Sequence, residues 1–180
     1  MKKKLMLGTL LLLILTFLVG CGSNKTVEEK KEEEAPKGNY NIVEAMKHIE
    51  ATNTMEEITT IIGFESTTDA TIGSDPIWKF NSKNWISYKT YNDDVTIQAT
   101  INKEDLKDEK IKLPLSSELQ EMLNNGSFTY EELVEKVGGE GTLISISADS
   151  VIYTWVDKHE QRLNATFNND TGKCSIASYR

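Results

Sequence analysis

The sequence has little of what chemistry at a protein site needs. Histidine occurs twice, His48 and His159, 111 positions apart. Neither belongs to an H-E-x-x-H spacing, so no metal pattern is predicted. There is no G-x-S-x-G elbow and no glycine-rich phosphate loop, and "NNDTG" (Asn168 to Gly172) is too short and too poor in carboxylates for a calcium loop. No basic stripe with interleaved aromatics occurs, and a formal net charge of −8 repels phosphate backbones. Nucleic acid is therefore not an expected partner. The adjacent pairs Glu56/Glu57 and Glu131/Glu132 are explained by helix-start electrostatics rather than acid/base work. No catalytic residue, cofactor, metal or small-molecule substrate is predicted, and the chain is not expected to be an enzyme. Cysteine is as scarce, with only Cys21 and Cys174.

What is present begins with a leader. Lys2, Lys3 and Lys4 precede an apolar run from Leu5 to Val19, and the run closes on "LVGC", Leu18 to Cys21. A permanent spanning helix needs about 20 apolar residues, so this run is short for one and suits a cleaved signal segment. The ending resembles the lipobox of bacterial lipoproteins. That resemblance implies cleavage before Cys21, a diacylglycerol on its sulfur, and an added acyl chain such as palmitate at the new N-terminus. Two or three acyl chains hold a membrane far better than one, at about 0.8 kcal/mol per buried methylene. The expected location is the extracytoplasmic face of a cell membrane, of a Gram-positive type. Loss of the three leader lysines takes the net charge from −8 to −11. With Cys21 lipidated, Cys174 has no internal disulfide partner, and its predicted strand position suits a small packed residue. Residues 21–38 are dense in both charges, with Val27 the one large apolar residue of Gly22 to Gly38, and read as a disordered tether. Fully stretched, its roughly 17 residues reach about 60 Å.

Beyond the tether a pattern repeats. "TMEEITTIIG" (Thr54 to Gly63) returns 75 positions later as "TYEELVEKVG" (Thr129 to Gly138). In each, a threonine with a glutamate three residues on predicts a capping box, and the glycine predicts a left-handed helix stop. Carried on without a gap, the offset sets "SDPIWKF" (Ser74 to Phe80) against "DSVIYTW" (Asp149 to Trp155). A preceding helix buries Ile42, Ala45, Met46 and Ile49 on one stripe. "VTIQATI" (Val95 to Ile101) and "LNATF" (Leu163 to Phe167) alternate with period two, as half-buried strands do. "NDD" (Asn92 to Asp94) and "NNDTG" read as hairpin turns, "IGSDP" (Ile72 to Pro76) as a further turn, and Asn102 to Pro114 as a connector. The expected organisation is a signal segment over 1–20, a tether over 21–38, and repeat units over 39–105 and 106–180. Each unit is helix, helix, then three or four antiparallel strands.

This order of motifs, "T-x-E-E…G", "YTW" at Tyr153 to Trp155 and "ATF" at Ala165 to Phe167, resembles the repeat of beta-lactamase-inhibitor-like proteins. The first copy is looser, with "WKF" at Trp78 to Phe80. The resemblance implies an α+β fold of two tandem units, their antiparallel sheets side by side with helices on one face. It also implies a protein-binding role through a concave, aromatic-bearing sheet. The disulfides of those inhibitors have no counterpart here, and their inserted loop is not matched. A smaller resemblance, to PepSY-type units, rests on the hairpin "FNNDTGKCSIASY".

Six aromatics are candidates for contact with an extracytoplasmic protein: Trp78, Phe80, Trp85, Tyr88, Tyr153 and Trp155. Each doublet, Trp78/Phe80 and Tyr153/Trp155, lies on one side of its strand. It serves either as core or as hot-spot anchors. Trp85 and Tyr88 fall on opposite sides of the next strand, Trp85 together with Tyr91, and Trp85 is the favoured surface residue. An acidic body favours a basic partner. The alternative role is structural, an envelope assembly lipoprotein without inhibitory activity.

Overall fold

The computed structural model describes residues 40–108, 111 and 114–180, which fall within one compact unit, Ala35–Arg180. The leader, Cys21 and the tether lie outside the described residues. The order is α1 (Ile42–Lys47), α2 (Met55–Ile62), β1 (Thr67–Asp69), β2 (Gly73–Lys79), β3 (Trp85–Tyr91) and β4 (Asp94–Thr100). Then come α3 (Lys103–Leu106), α4 (Ser117–Gly126), α5 (Tyr130–Val137), β5 (Thr142–Ser147), β6 (Ser150–Val156), β7 (Arg162–Asn168) and β8 (Cys174–Tyr179). The fold is mixed α/β with a single eight-stranded antiparallel sheet, its strands in chain order. Across the connector, β4 pairs with β5 at Thr96–Ser147, Ile97–Ile146 and Gln98–Ser145, so two four-stranded runs share one sheet.

The helix ends follow from their residues. Thr54 and Thr129 each accept the N–H of the glutamate three residues on, and each glutamate accepts the threonine N–H in return. Two otherwise unpaired donors are satisfied at each start. Gly63 (φ 87°) and Gly138 (φ 84°) close the helices in the left-handed region. Helix α1, capped by Asn41, ends at Lys47, yet the whole predicted stripe of Ile42, Ala45, Met46 and Ile49 is buried.

Strand β8 is an edge, and α4 runs along it. Asn124 Oδ1 accepts the Ala177 N–H at 2.7 Å, its Nδ2 donates to Ala177 O at 3.3 Å, and Gln120 Oε1 accepts the Tyr179 N–H at 3.0 Å. An unpaired edge is a template for aggregation, and these side chains occupy it. The opposite edge, β1, is only three residues long and its register is irregular. Shortness and irregularity are the other means of blunting an edge.

Two expectations are corrected. "IGSDP" is not a turn: Gly73 to Pro76 open β2, and the turn precedes them. Pro76 is tolerated because β2 meets β3 only from Ile77 to Lys79, so no ladder bond to β3 needs its missing N–H. The ungapped offset also fails beyond the helices. Helices α2 and α5 are 75 residues apart, but β2 and β3 recur as β6 and β7 at 77, Gly73–Lys79 as Ser150–Val156 and Trp85–Tyr91 as Arg162–Asn168. The two additional residues enter the hairpin that follows the helix, where β5 has six residues against three in β1. Trp78 therefore corresponds to Trp155, not Tyr153.

The apolar side chains form two clusters. One joins α1, α2 and the Trp78 side of β2–β4, and reaches Ile144, Ile146 and Val156. The other joins α4 and α5 to Trp155, Leu163, Ala165, Phe167 and Ala177. The connector is tied down by buried Asn84, whose Oδ1 accepts the Asn102 N–H at 2.7 Å and whose Nδ2 donates to Asp105 at 2.8 Å.

Candidate functional site

Residues directly opposite in an antiparallel ladder share a face. Register therefore sorts the candidates. Trp78, Ile86 and Ala99 are cross-strand partners, as are Tyr88 and Ile97, and Trp155 and Leu163. All of these lie on the helix-covered face. Trp78 and Trp155 are buried to 0% and 1% exposure. Each indole N–H donates inward, to Thr59 Oγ1 on α2 and to Gly139 O after α5, both at 3.0 Å. The surface-anchor reading of these two tryptophans is thus overturned: burying a large ring with its N–H satisfied is what a core tryptophan does.

Three further candidates belong to the same side. Tyr88 is half-buried against the first cluster. Phe80, just past β2, is half-buried and packs edge-on to Phe64 at 5.3 Å. Tyr153 stacks on Tyr130 at 4.3 Å, with Phe167 edge-on to both. Burial, then the neighbouring Tyr153, pushes the Tyr130 hydroxyl up to about 12, and burial likewise raises Tyr153. These rings face helices rather than an open sheet surface.

Only Trp85 of the six candidates lies on the opposite face, half-buried between Lys79 and Thr100. One row on this helix-free face runs across all eight strands: Thr67, Ile77, Ser87, Gln98, Ser145, Ile152, Thr166 and Ile176. In the first half the two strand lysines of this face are engaged, Lys79 with Asp69 at 2.7 Å and Lys89 with Gln98 Oε1 at 3.0 Å. The face is mostly hydroxyl and amide, with Tyr91 (78% exposed) and Ile176 (62% exposed) as single projecting apolar groups.

Ile176 was not foreseen, and the reason is a bulge. Strict alternation puts Cys174 and Ile176 on one side. The ladder instead pairs Phe167 with Cys174 and Thr166 with Ile176, so the extra residue at 175 turns Ile176 outward. Cys174 stays inside, 8% exposed, and burial raises its thiol pKa, the environment of a packed rather than a reactive cysteine. Arg162 was also missed, because alternation sets its side of β7 but not its neighbour, and the pairing with Arg180 depends on which strand lies alongside.

Two clefts that border α1 carry no reactive constellation. A cleft of about 580 Å³ between α1 and the Phe80–Asn84 turn has its polar lining engaged, as at Asn84 and Asp105. A second, of about 360 Å³, lies by Tyr130, Tyr153, Lys47 and Glu140. Among the described residues, no group of three or more His, Cys, Asp or Glu is placed to hold a metal, and no helix is long and apolar enough to cross a membrane. No family model, curated protein or solved structure matches this chain.

Proposed function

We propose that this chain is a lipid-anchored extracytoplasmic protein-binding module, held through Cys21 and contacting an envelope protein with the helix-free face of its sheet. The observation that carries the reading is Trp85, the one candidate aromatic on that face and not committed to a helix. Tryptophan is the residue most enriched at interface hot spots, and the surrounding hydroxyls and amides suit a polar rim. The helix–helix–four-strand order, occurring twice, supports the finer reading of two tandem units in a beta-lactamase-inhibitor-like arrangement, and inhibition or scaffolding of an envelope enzyme follows by analogy of fold alone. The lysines at 2–4, the short apolar run and the "LVGC" ending support the anchor.

Photo-crosslinking on intact cells tests the contact. A photoreactive residue at position 85 is expected to give a discrete adduct with an envelope protein, while the same residue at 153, on the helix side, gives none. Adducts from 153 and not 85 would move the contact to the other face. No adduct from either would leave the envelope-assembly role without direct partner contact as the better account. For the anchor, Cys21→Ser is expected to abolish incorporation of a palmitate analogue and release the chain from membranes. Retained label in that variant overturns lipidation at Cys21.

A further inference from the structure

The chain contains only two arginines, Arg162 and Arg180, and the fold puts them side by side. Each donates its backbone N–H to the other's carbonyl at 2.8 Å, closing the β7–β8 ladder. Directly opposite residues share a face, so both side chains lie on the side away from Trp155 and Leu163, one step beyond the Asn164–Ser178 pair, with buried Val156 on that side next to Lys107 of the connector. Among the described residues, neither arginine forms an ion pair. Strands β5 to β8 contain no aspartate, glutamate or lysine at all, in a chain of net charge −8.

The Arg162 guanidinium is held in place. Its Nε donates to Thr154 Oγ1 at 2.9 Å and to Asn164 Oδ1 at 3.2 Å, both on the same face. Those bonds use the Nε–H and leave the outer Nη groups as a fork. Burial, and then the charge of Arg180, lowers the Arg162 pKa from its ordinary value, as two neighbouring cations do. Like charges directly opposite in a ladder destabilise it, and a bridging anion removes that repulsion. Guanidinium forks match the oxygen spacing of carboxylates and phosphates, which they bind bidentately.

We propose that Arg162 and Arg180, with Thr154, Asn164 and Ser178 around them, form an oxyanion-binding site for a carboxylate or phosphate group presented to the helix-free face. The proposal rests on the reading of that face as the contact surface and names the chemistry recognised by its second half. It also reverses the expectation of a basic partner, since the local field here is positive while the whole chain is acidic.

Thermal unfolding of the full chain in detergent micelles tests it, with inorganic phosphate and succinate each titrated against chloride at matched ionic strength. A ligand that binds only the folded state raises Tm with concentration. Wild type is expected to respond to at least one of the two, a response to phosphate alone assigning a phosphate and to succinate alone a carboxylate. Arg162→Gln is expected to weaken the responding anion by about 10- to 100-fold, the range for one lost charge-assisted bond. Arg180→Gln keeps the Thr154–Arg162–Asn164 bonds and gives a sharper pattern: a Tm equal to or above wild type in chloride, with the anion response lost. Lys89→Gln, elsewhere on the face, leaves the response intact. No response to either anion in wild type, or an undiminished response in Arg180→Gln, overturns the site. An anion response without crosslinking from position 85 overturns the partner reading alone, and crosslinking without an anion response overturns this one alone.

Discussion

The first and second halves bury a tryptophan at the same point and satisfy it differently. Trp78 and Trp155 stand 77 residues apart on β2 and β6, both sealed from solvent, each opposite an aliphatic on the next strand. Trp78 donates to the hydroxyl of Thr59. The position on α5 equivalent to Thr59 is Val134, which has no acceptor, and Trp155 donates instead to the backbone carbonyl of Gly139. The tryptophan is placed alike in the two halves, whereas its hydrogen bond is made with whatever acceptor each half offers. A buried N–H must find an acceptor, so a valine at this place in the second half is compatible with burial only because a carbonyl stands within reach. The outward faces diverge further. The first half pairs its lysines and carries Trp85, and the second carries two arginines with no acid on its strands.

The comparison is broken most severely at the indoles. Trp78→Ala and Trp155→Ala are each expected to cost about 3–5 kcal/mol, read by chemical denaturation, the range for large aromatic truncations in a packed core. Equal losses would support equivalence, and a loss under about 1 kcal/mol in either would show that half to be loosely packed. A smaller change separates the halves. A Cβ on Gly141 meets the Trp155 ring at 2.6 Å, and the ring is locked in the core. Gly141→Ala is expected to cost about 1–3 kcal/mol by overpacking. The first half has Ser66 at the equivalent place, so it already accommodates a Cβ, and Ser66→Ala is expected to be near neutral.

Local features were legible in the sequence and register was not. Thr54, Glu57 and Gly63, with Thr129, Glu132 and Gly138, specify their helix ends through bonds within one turn, and the structure forms them as the spacing predicts. The alternation in Val95 to Ile101 and Leu163 to Phe167 likewise reports which residues go inside, because one face of each strand is buried. What failed depends on one or two residues that alternation does not encode. The longer β5 hairpin shifted the tryptophan correspondence, and the bulge at β8 turned Ile176 outward. Of the candidate site, the split of Trp85 from Tyr88 followed from a period of two. The pairing of Arg162 with Arg180 needed the ladder itself, since a strand's sequence does not name its partner.

Two further tests sharpen the difference in hydrogen bonding and ionisation. Thr59→Val leaves the Trp78 N–H without its acceptor and is expected to cost about 1–3 kcal/mol, while Val134→Thr supplies a hydroxyl Trp155 does not need and should fall well below that. Equal effects from both would show that the indoles share one bonding mode. Alkali separates the halves as well. Tyr130, raised to about 12, has Met55 at its equivalent position in α2. A tyrosine whose folded pKa is raised contributes stability below its ordinary value near 10, and that stability is lost as pH rises through the folded value. Tm is expected to fall between about pH 10 and 12, and Tyr130→Phe to flatten the fall. An unchanged slope in the variant would place the alkaline loss elsewhere.

The smallest expected effect tests where the halves agree. Thr54→Ala and Thr129→Ala each remove a capping box and are expected to cost about 1 kcal/mol, the usual loss for an N-cap threonine. Similar values would support equal contributions of the two caps even though the strands that follow them, β1 and β5, differ in length. Acid gives an independent check on the first. The Thr54 backbone N–H, and then its hydroxyl, hold the Glu57 carboxyl below its ordinary pKa of 4.5. A carboxylate with a depressed folded pKa contributes stability that is full above the ordinary value and disappears as pH falls through the folded one. Acidification below 4.5 should therefore weaken the α2 cap, and Thr54→Ala should lose less stability than wild type over the same fall. Amide exchange at Glu57 and Ile58, followed from neutral to acid pH with intrinsic rates divided out, reads that opening directly. Protection that is unchanged across the fall would mean that the threonine alone holds the cap, with Glu57 contributing nothing to it.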